Sequence, residues 1–106
     1  MDRITKLKEF LSANPGDAFL QHALALEYIK RGDDAPARRL FEEILAADPT
    51  YVGSYYHLAK LLERAGETEL AKQWYEKGIE QAADAADLHA LRELRAAYDA
   101  LEDGAG

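Results

Sequence analysis

Apolar residues recur along this chain at spacings of three and four, the period at which side chains line one face of a helix. Between Asp17 and Arg31, the residues Leu20, Leu24, Ala25 and Tyr28 share such a face. Gly32 follows as a residue able to take the left-handed conformation that ends a helix. Asp34 then offers a side-chain oxygen to the free amides of a second helix. Pro36 falls in its first turn, where a missing amide hydrogen costs little. That helix runs through Ala37, Phe41 and Leu45 to about Ala47, where Asp48-Pro49 stops it. The plan is then repeated: Tyr55, Leu58 and Leu62 form a stripe, Gly66 marks a turn, Thr68 is the expected cap, and Ala71, Tyr75 and Ile79 form the next stripe.

The repetition has a fixed step. A shift of 34 positions sets Leu24 on Leu58, Ala25 on Ala59, Gly32 on Gly66, Ala37 on Ala71, Phe41 on Tyr75 and Leu45 on Ile79. Small residues, a turn glycine and aromatics are the positions where a packed unit has least freedom, so self-similarity among them predicts a repeat array. Flanking segments extend the pattern. Arg3 to Ala13 ends in Asn14-Pro15, and its Leu7 and Leu11 align with Phe41 and Leu45, so it reads as the second helix of a unit whose first helix is absent. After an alanine-rich join near 82–86, Asp87 caps a final helix striped by Leu88, Leu91, Leu94, Tyr98 and Leu101. The tail from Glu102 to Gly106 is expected to fray.

Leu-Ala-x-x-Tyr, then Gly, Ala, Phe or Tyr, and Asp-Pro at these offsets resemble the tetratricopeptide repeat (TPR). Two full units carry the resemblance, and each has its departures: the early tryptophan is Gln21 and Tyr55, the small residue late in the second helix is Ile44 and Gly78, and the terminal proline of the second unit is Ala83. The resemblance implies an all-α fold, a TPR-type stack of antiparallel helix hairpins (an α-solenoid) with an amino-terminal and a carboxyl-terminal capping helix. Within a single domain spanning 1–106, the units are expected at 18–51 and 52–85, the half-repeat helix at 3–13 and the capping helix at 87–102.

In that family the first helix of each unit lines a concave, peptide-binding groove. By position, the groove residues here are Phe19, His22, Leu26 and Ile29 from the first unit, and Tyr56, His57, Lys60 and Glu63 from the second. Lys30, Gly53 and Arg64 border them. Apolar and aromatic groups beside a few charges suit an extended or helical peptide. The lysine and arginine clamp with which some relatives grip a terminal carboxylate is not expected, because the matching positions hold His22, Leu26 and His57. A competing expectation is that the amino-terminal helix or a tail of the chain itself covers Phe19, Leu26 and Ile29.

Composition narrows the function classes. Residues 1–40 hold 7 basic and 6 acidic groups, a balance of +1, and residues 41–106 hold 6 and 14, a balance of −8, giving the net −7. An acidic second half repels phosphate backbones and anionic lipid, so nucleic acid and membrane surfaces are not the expected partners; a protein or peptide is. With no cysteine, thiolate metal sites and cysteine nucleophiles are excluded. The opening residues Met1-Asp2-Arg3-Ile4 lack the pattern of a secretion signal, so a cytoplasmic location is expected. His22, His57 and His89 stand at no metal-ligand spacing, and no phosphate loop or Ser-His-Asp set is present, so neither cofactor nor enzyme activity is expected. Trp74 is read as packing beneath the final helix or as a binding anchor. Glu42, Glu43, Glu67, Glu69, Glu76 and Glu80 read as a solvated face with Lys72 and Lys77. A monomer is the first expectation. Two rival readings stay open: a homo-oligomeric building block joined through the final helix, the groove or Tyr51, Tyr55 and Tyr56, and, more remotely, a small enzyme or metal protein.

Overall fold

The computed structural model describes residues 2–104. Among them all regular structure is helical: α1 (Arg3–Ala13), α2 (Ala18–Lys30), α3 (Asp34–Ala47), α4 (Gly53–Arg64), α5 (Thr68–Asp84) and α6 (Leu88–Gly104). They fall into two compact units, Met1–Ala47 with α1 to α3 and Asp48–Gly106 with α4 to α6. In each unit consecutive helices pack as neighbours, and the short turns between them make each pair antiparallel. No described helix is long and apolar enough to cross a membrane.

Helix starts follow side-chain chemistry. Asp2, Asp17 and Asp87 each accept a bond from the amide three residues on, at 2.8, 3.0 and 3.1 Å. Each satisfies one of the amides a helix leaves unpaired at its start, an arrangement that contributes about 1 kcal/mol. Thr68, expected as a cap, is instead the first residue of α5, and Glu67 before it makes no side-chain capping bond. The reason is the tightness of the preceding turn, which brings Glu67 directly to the start of α5.

Three turns are built the same way. The amide of Asp33 bonds the Tyr28 carbonyl at 2.8 Å, that of Glu67 bonds Leu62 at 2.9 Å, and that of Asp87 bonds Ala82 at 2.9 Å. Inside each loop a residue at positive φ donates to the carbonyl three back: Gly32, Gly66 and Ala86. This is the Schellman closure of a helix end. Two of the three left-handed positions hold glycine, and Ala86, at φ 55°, carries a steric penalty at the third.

Where α3 stops at Ala47 before Asp48-Pro49, α5 has Ala82-Ala83 at the same repeat positions and runs on to Asp84, for 17 residues against 14. The join expected at 82–86 is therefore shorter than the composition suggests, because alanine, unlike proline, continues the helix. The fraying expected from Glu102 onward also gives way: α6 is helical through Gly104, while Ala105 and Gly106 lie outside the described residues.

In the first unit, Leu24, Ala25, Ala37, Phe41, Ile44 and Leu45 are buried together with Leu7 of α1. Arg3 meets Glu27 at 3.6 Å, and Lys8 lies over the Tyr28 ring, so polar contacts also join α1 to α2. In the second unit, Tyr55, Leu58, Leu61, Leu62, Ala71, Tyr75, Ala82 and Leu94 are buried. Gly78 is buried among them because nothing larger fits. A Cβ there would stand 2.7 Å from Tyr55 Cβ and 3.2 Å from Leu94 Cδ1, so this one glycine lets α5 approach both α4 and α6. The Tyr55 hydroxyl donates to the Pro49 carbonyl at 2.6 Å and secures the segment that leads into α4.

Candidate peptide-binding faces

On α2, Phe19, His22, Leu26 and Ile29 advance by three and four residues and so lie along one side of the helix. Phe19 is 72% exposed, so among the described residues nothing covers it. Leu26 and Ile29 are half-buried. His22 is half-buried too, its ring set edge-on to Phe41 with centroids 5.5 Å apart. The face is thus an aromatic and aliphatic strip with one polar ring.

The corresponding residues of α4 are linked to one another. Tyr56 and His57 rings meet edge-on at 5.5 Å, Lys60 lies 5.8 Å over the Tyr56 ring, and Lys60 Nζ is 3.7 Å from Glu63 Oε2. The chain continues inward, because the buried Tyr75 hydroxyl donates to the same Glu63 oxygen. Burial and the Glu63 carboxylate push the Tyr75 phenol far above its usual range, so it is a fixed donor. Burial lowers the His57 pKa; Glu93 of α6 opposes that shift, and Arg64 adds to it. All four α4 residues named from the sequence therefore form one contact series.

The sequence marks α6 only as a cap, yet it also packs against α4. A signal for this exists: Asp17 and Asp87, Leu24 and Leu94, and Tyr28 and Tyr98 each stand 70 positions apart, so α6 is patterned like the first helix of a further unit. Its leucine stripe packs inside the second unit, with Leu94 buried, Leu91, Tyr98 and Leu101 half-buried, and only Leu88 well exposed, at 59%. Trp74 is half-buried 6.0 Å from Tyr55, with Lys77 lying 4.8 Å over its ring, which accounts for it as packing.

Comparison with known proteins gives one consistent result. A family model described as tetratricopeptide repeat matches residues 28–97. A TPR repeat-containing protein of Pseudomonas aeruginosa is 29% identical over 91 residues, covering 86% of this chain and 87% of its own. Among solved structures, a tetratricopeptide repeat domain protein from Salinibacter ruber superposes with a TM-score of 0.80 at 42% identity, covering 82% of this chain and 97% of the other. A protein from Bordetella parapertussis, 23% identical, has the same fold, with a TM-score of 0.85 over 98% of this chain and 90% of its own.

Proposed function

Because the chain belongs to the tetratricopeptide repeat family, a protein-interaction fold, we propose that it holds a partner polypeptide on the exposed faces of α2 and α4 and performs no chemistry on it. The repeat boundaries this reading uses are 18–51 and 52–85, with 3–13 and 87–102 as flanking helices. The observation that carries it is Phe19, which at 72% exposed leaves a large apolar ring in water on a first-helix face. Burial of such a ring supplies about 1.5 to 3 kcal/mol before ordering costs, enough to anchor a peptide. Tyr56 and Lys60 offer a second, mixed anchor on α4, where the ring gives apolar area and the ammonium sets polarity. The assignment to the cytoplasm belongs to this proposal.

The test replaces Phe19 and Tyr56 singly with aspartate and compares the proteins that each variant and the parent retain from native lysate, with circular dichroism as the check on fold. Loss of the same bound species from both folded variants is expected; identical recovery would falsify the proposal. The homo-oligomer reading keeps one specific feature, the exposed Leu88 at the start of α6. Light scattering after gel filtration decides it, since a monomeric mass at high micromolar concentration removes it.

A further inference from the structure

We propose that Arg3 and Arg95 keep copies of this chain from joining to one another through α6 of one copy and α1 of the next. Both stand where the complete hairpins have alanine. The inference concerns contacts between copies and does not depend on the peptide-binding reading above.

Two hairpins set the rule. In α2 and α3 the rings of His22 and Phe41 meet, with centroids 5.5 Å apart. Ala25 and Ala37 each lie one turn closer to the loop than those rings, so they face each other across the hairpin, and both are 0% exposed. Ala59 and Ala71 hold the same positions in α4 and α5, again at 0%. How near two helices come depends on the side chains between them, and alanine permits a close approach.

The helices α1 and α6 carry the same pattern. A shift of 34 positions sets Leu7 on Phe41 and Phe10 on Ile44, and a shift of 70 sets Leu24 on Leu94 and Gln21 on Leu91. On these registers α6 of one copy and α1 of another hold the residues of one more hairpin. Ile44 is 1% exposed, and its equivalent Gly78 lies against Tyr55 of α4. Phe10, at the same position, is 53% exposed, and the α6 equivalent of Tyr55 is the half-buried Leu91. Docking α6 on a second copy's α1 would bury this apolar pair, and the contact, being heterologous, would recur from copy to copy.

The same registers close that route. Arg3 aligns with Ala37 and Ala71, and Arg95 aligns with Ala25 and Ala59. At the point of closest approach two guanidinium groups would meet in place of two methyl groups. Both side chains are exposed, and Arg3 reaches across to Glu27 at 3.6 Å. Forming the contact would bring like charges together, strip their water and hold the helices apart. Repulsion of this kind is a general means of excluding a wrong partner.

The test removes both groups, Arg3→Ala with Arg95→Ala, and follows the full chain by sedimentation velocity beside the parent, with circular dichroism as the check on fold. The parent should stay monomeric at high micromolar concentration, while the mass of the double variant should rise with concentration past that of a dimer. Arg3→Lys with Arg95→Lys keeps bulk and charge and should behave as the parent does. Adding Phe10→Asp to the alanine variant removes the apolar half of the contact and should return it to a monomer. Three outcomes overturn the proposal: an alanine variant whose mass matches the parent's at every concentration, association of that variant that survives Phe10→Asp, or association of the parent that Phe10→Asp abolishes.

Discussion

The two three-helix units solve one packing problem with different side chains at equivalent positions. In the first, Phe41 packs against His22, and Ile29 stands on the α2 face. In the second, the position of Phe41 is Tyr75 and that of Ile29 is Glu63, and the two are joined by a hydrogen bond. Two equivalent positions that are both apolar in one repeat, Ile29 and Phe41, are both polar in the other, Glu63 and Tyr75. Changing either alone would bury a hydroxyl or leave a carboxylate without its donor, and each costs free energy. The same contrast holds at the late position of the second helix, where Ile44 fills space in α3 and Gly78 vacates it in α5 so that Tyr55 can lie against the backbone. The repeat thus conserves filled volume and satisfied polar groups, and leaves the identity of the residues free.

That comparison breaks first at Gly78. Giving the second unit the isoleucine of the first, Gly78→Ile, should cost about 3 kcal/mol or more in urea unfolding, since Tyr55 Cβ cannot retreat without moving α4. Gly78→Ala should still destabilise, by about 1 kcal/mol net, the clash outweighing the better helix propensity of alanine.

The polar pair gives a sharper test. Tyr75→Phe should cost about 1 to 2 kcal/mol by stripping Glu63 of its donor. Adding Glu63→Ile, which gives both positions the residue types of the first unit, should recover part of that loss. A double-mutant cycle in which the two changes simply add would show that the positions are not coupled.

A smaller effect separates the three turns. Ala86→Gly should stabilise the chain by about 0.5 to 1 kcal/mol, because it removes the left-handed penalty that Gly32 and Gly66 avoid. Gly66→Ala should move the unfolding midpoint in the opposite direction.

The smallest effect concerns pH. His57 has Ala23 as its counterpart, so this titration is not repeated at the equivalent position of the first unit. Its folded pKa lies below the ordinary 6.5, so the unfolded chain takes up the proton first. The contribution is complete above 6.5 and is lost as pH falls toward the folded value. Stability measured from pH 7.5 to 5 should decline less in His57→Asn than in the parent, and identical slopes would rule out His57 as the source.

Much of the fold is legible in the sequence. The aspartate cap at Asp87, the stops at Gly32, Gly66 and Asp48-Pro49, and the 34-residue step all act locally, where residue type decides conformation, whereas the equivalent cap at Asp17 is not read from the sequence. The Ala86 closure is not legible, because alanine does not advertise a left-handed residue; it adopts one there only because the helix ends on either side demand it. The candidate site can be read as a set of positions on α2 and α4. The part of α6 in the second unit is read only as a cap, because its likeness to α2 rests on the 70-position match of Asp87, Leu94 and Tyr98 to Asp17, Leu24 and Tyr28, which falls outside the 34-residue comparison of neighbouring units.

By itself the sequence determined that this chain is a set of amphipathic helices in hairpins of one family, since periodicity, caps and breakers are local properties. Tertiary structure alone decided that Glu63 meets Tyr75 twelve residues away and that Gly78 is a contact point rather than a flaw. Those facts depend on how helices lie against each other, and helix packing is set by the summed fit of many side chains that no local signal encodes.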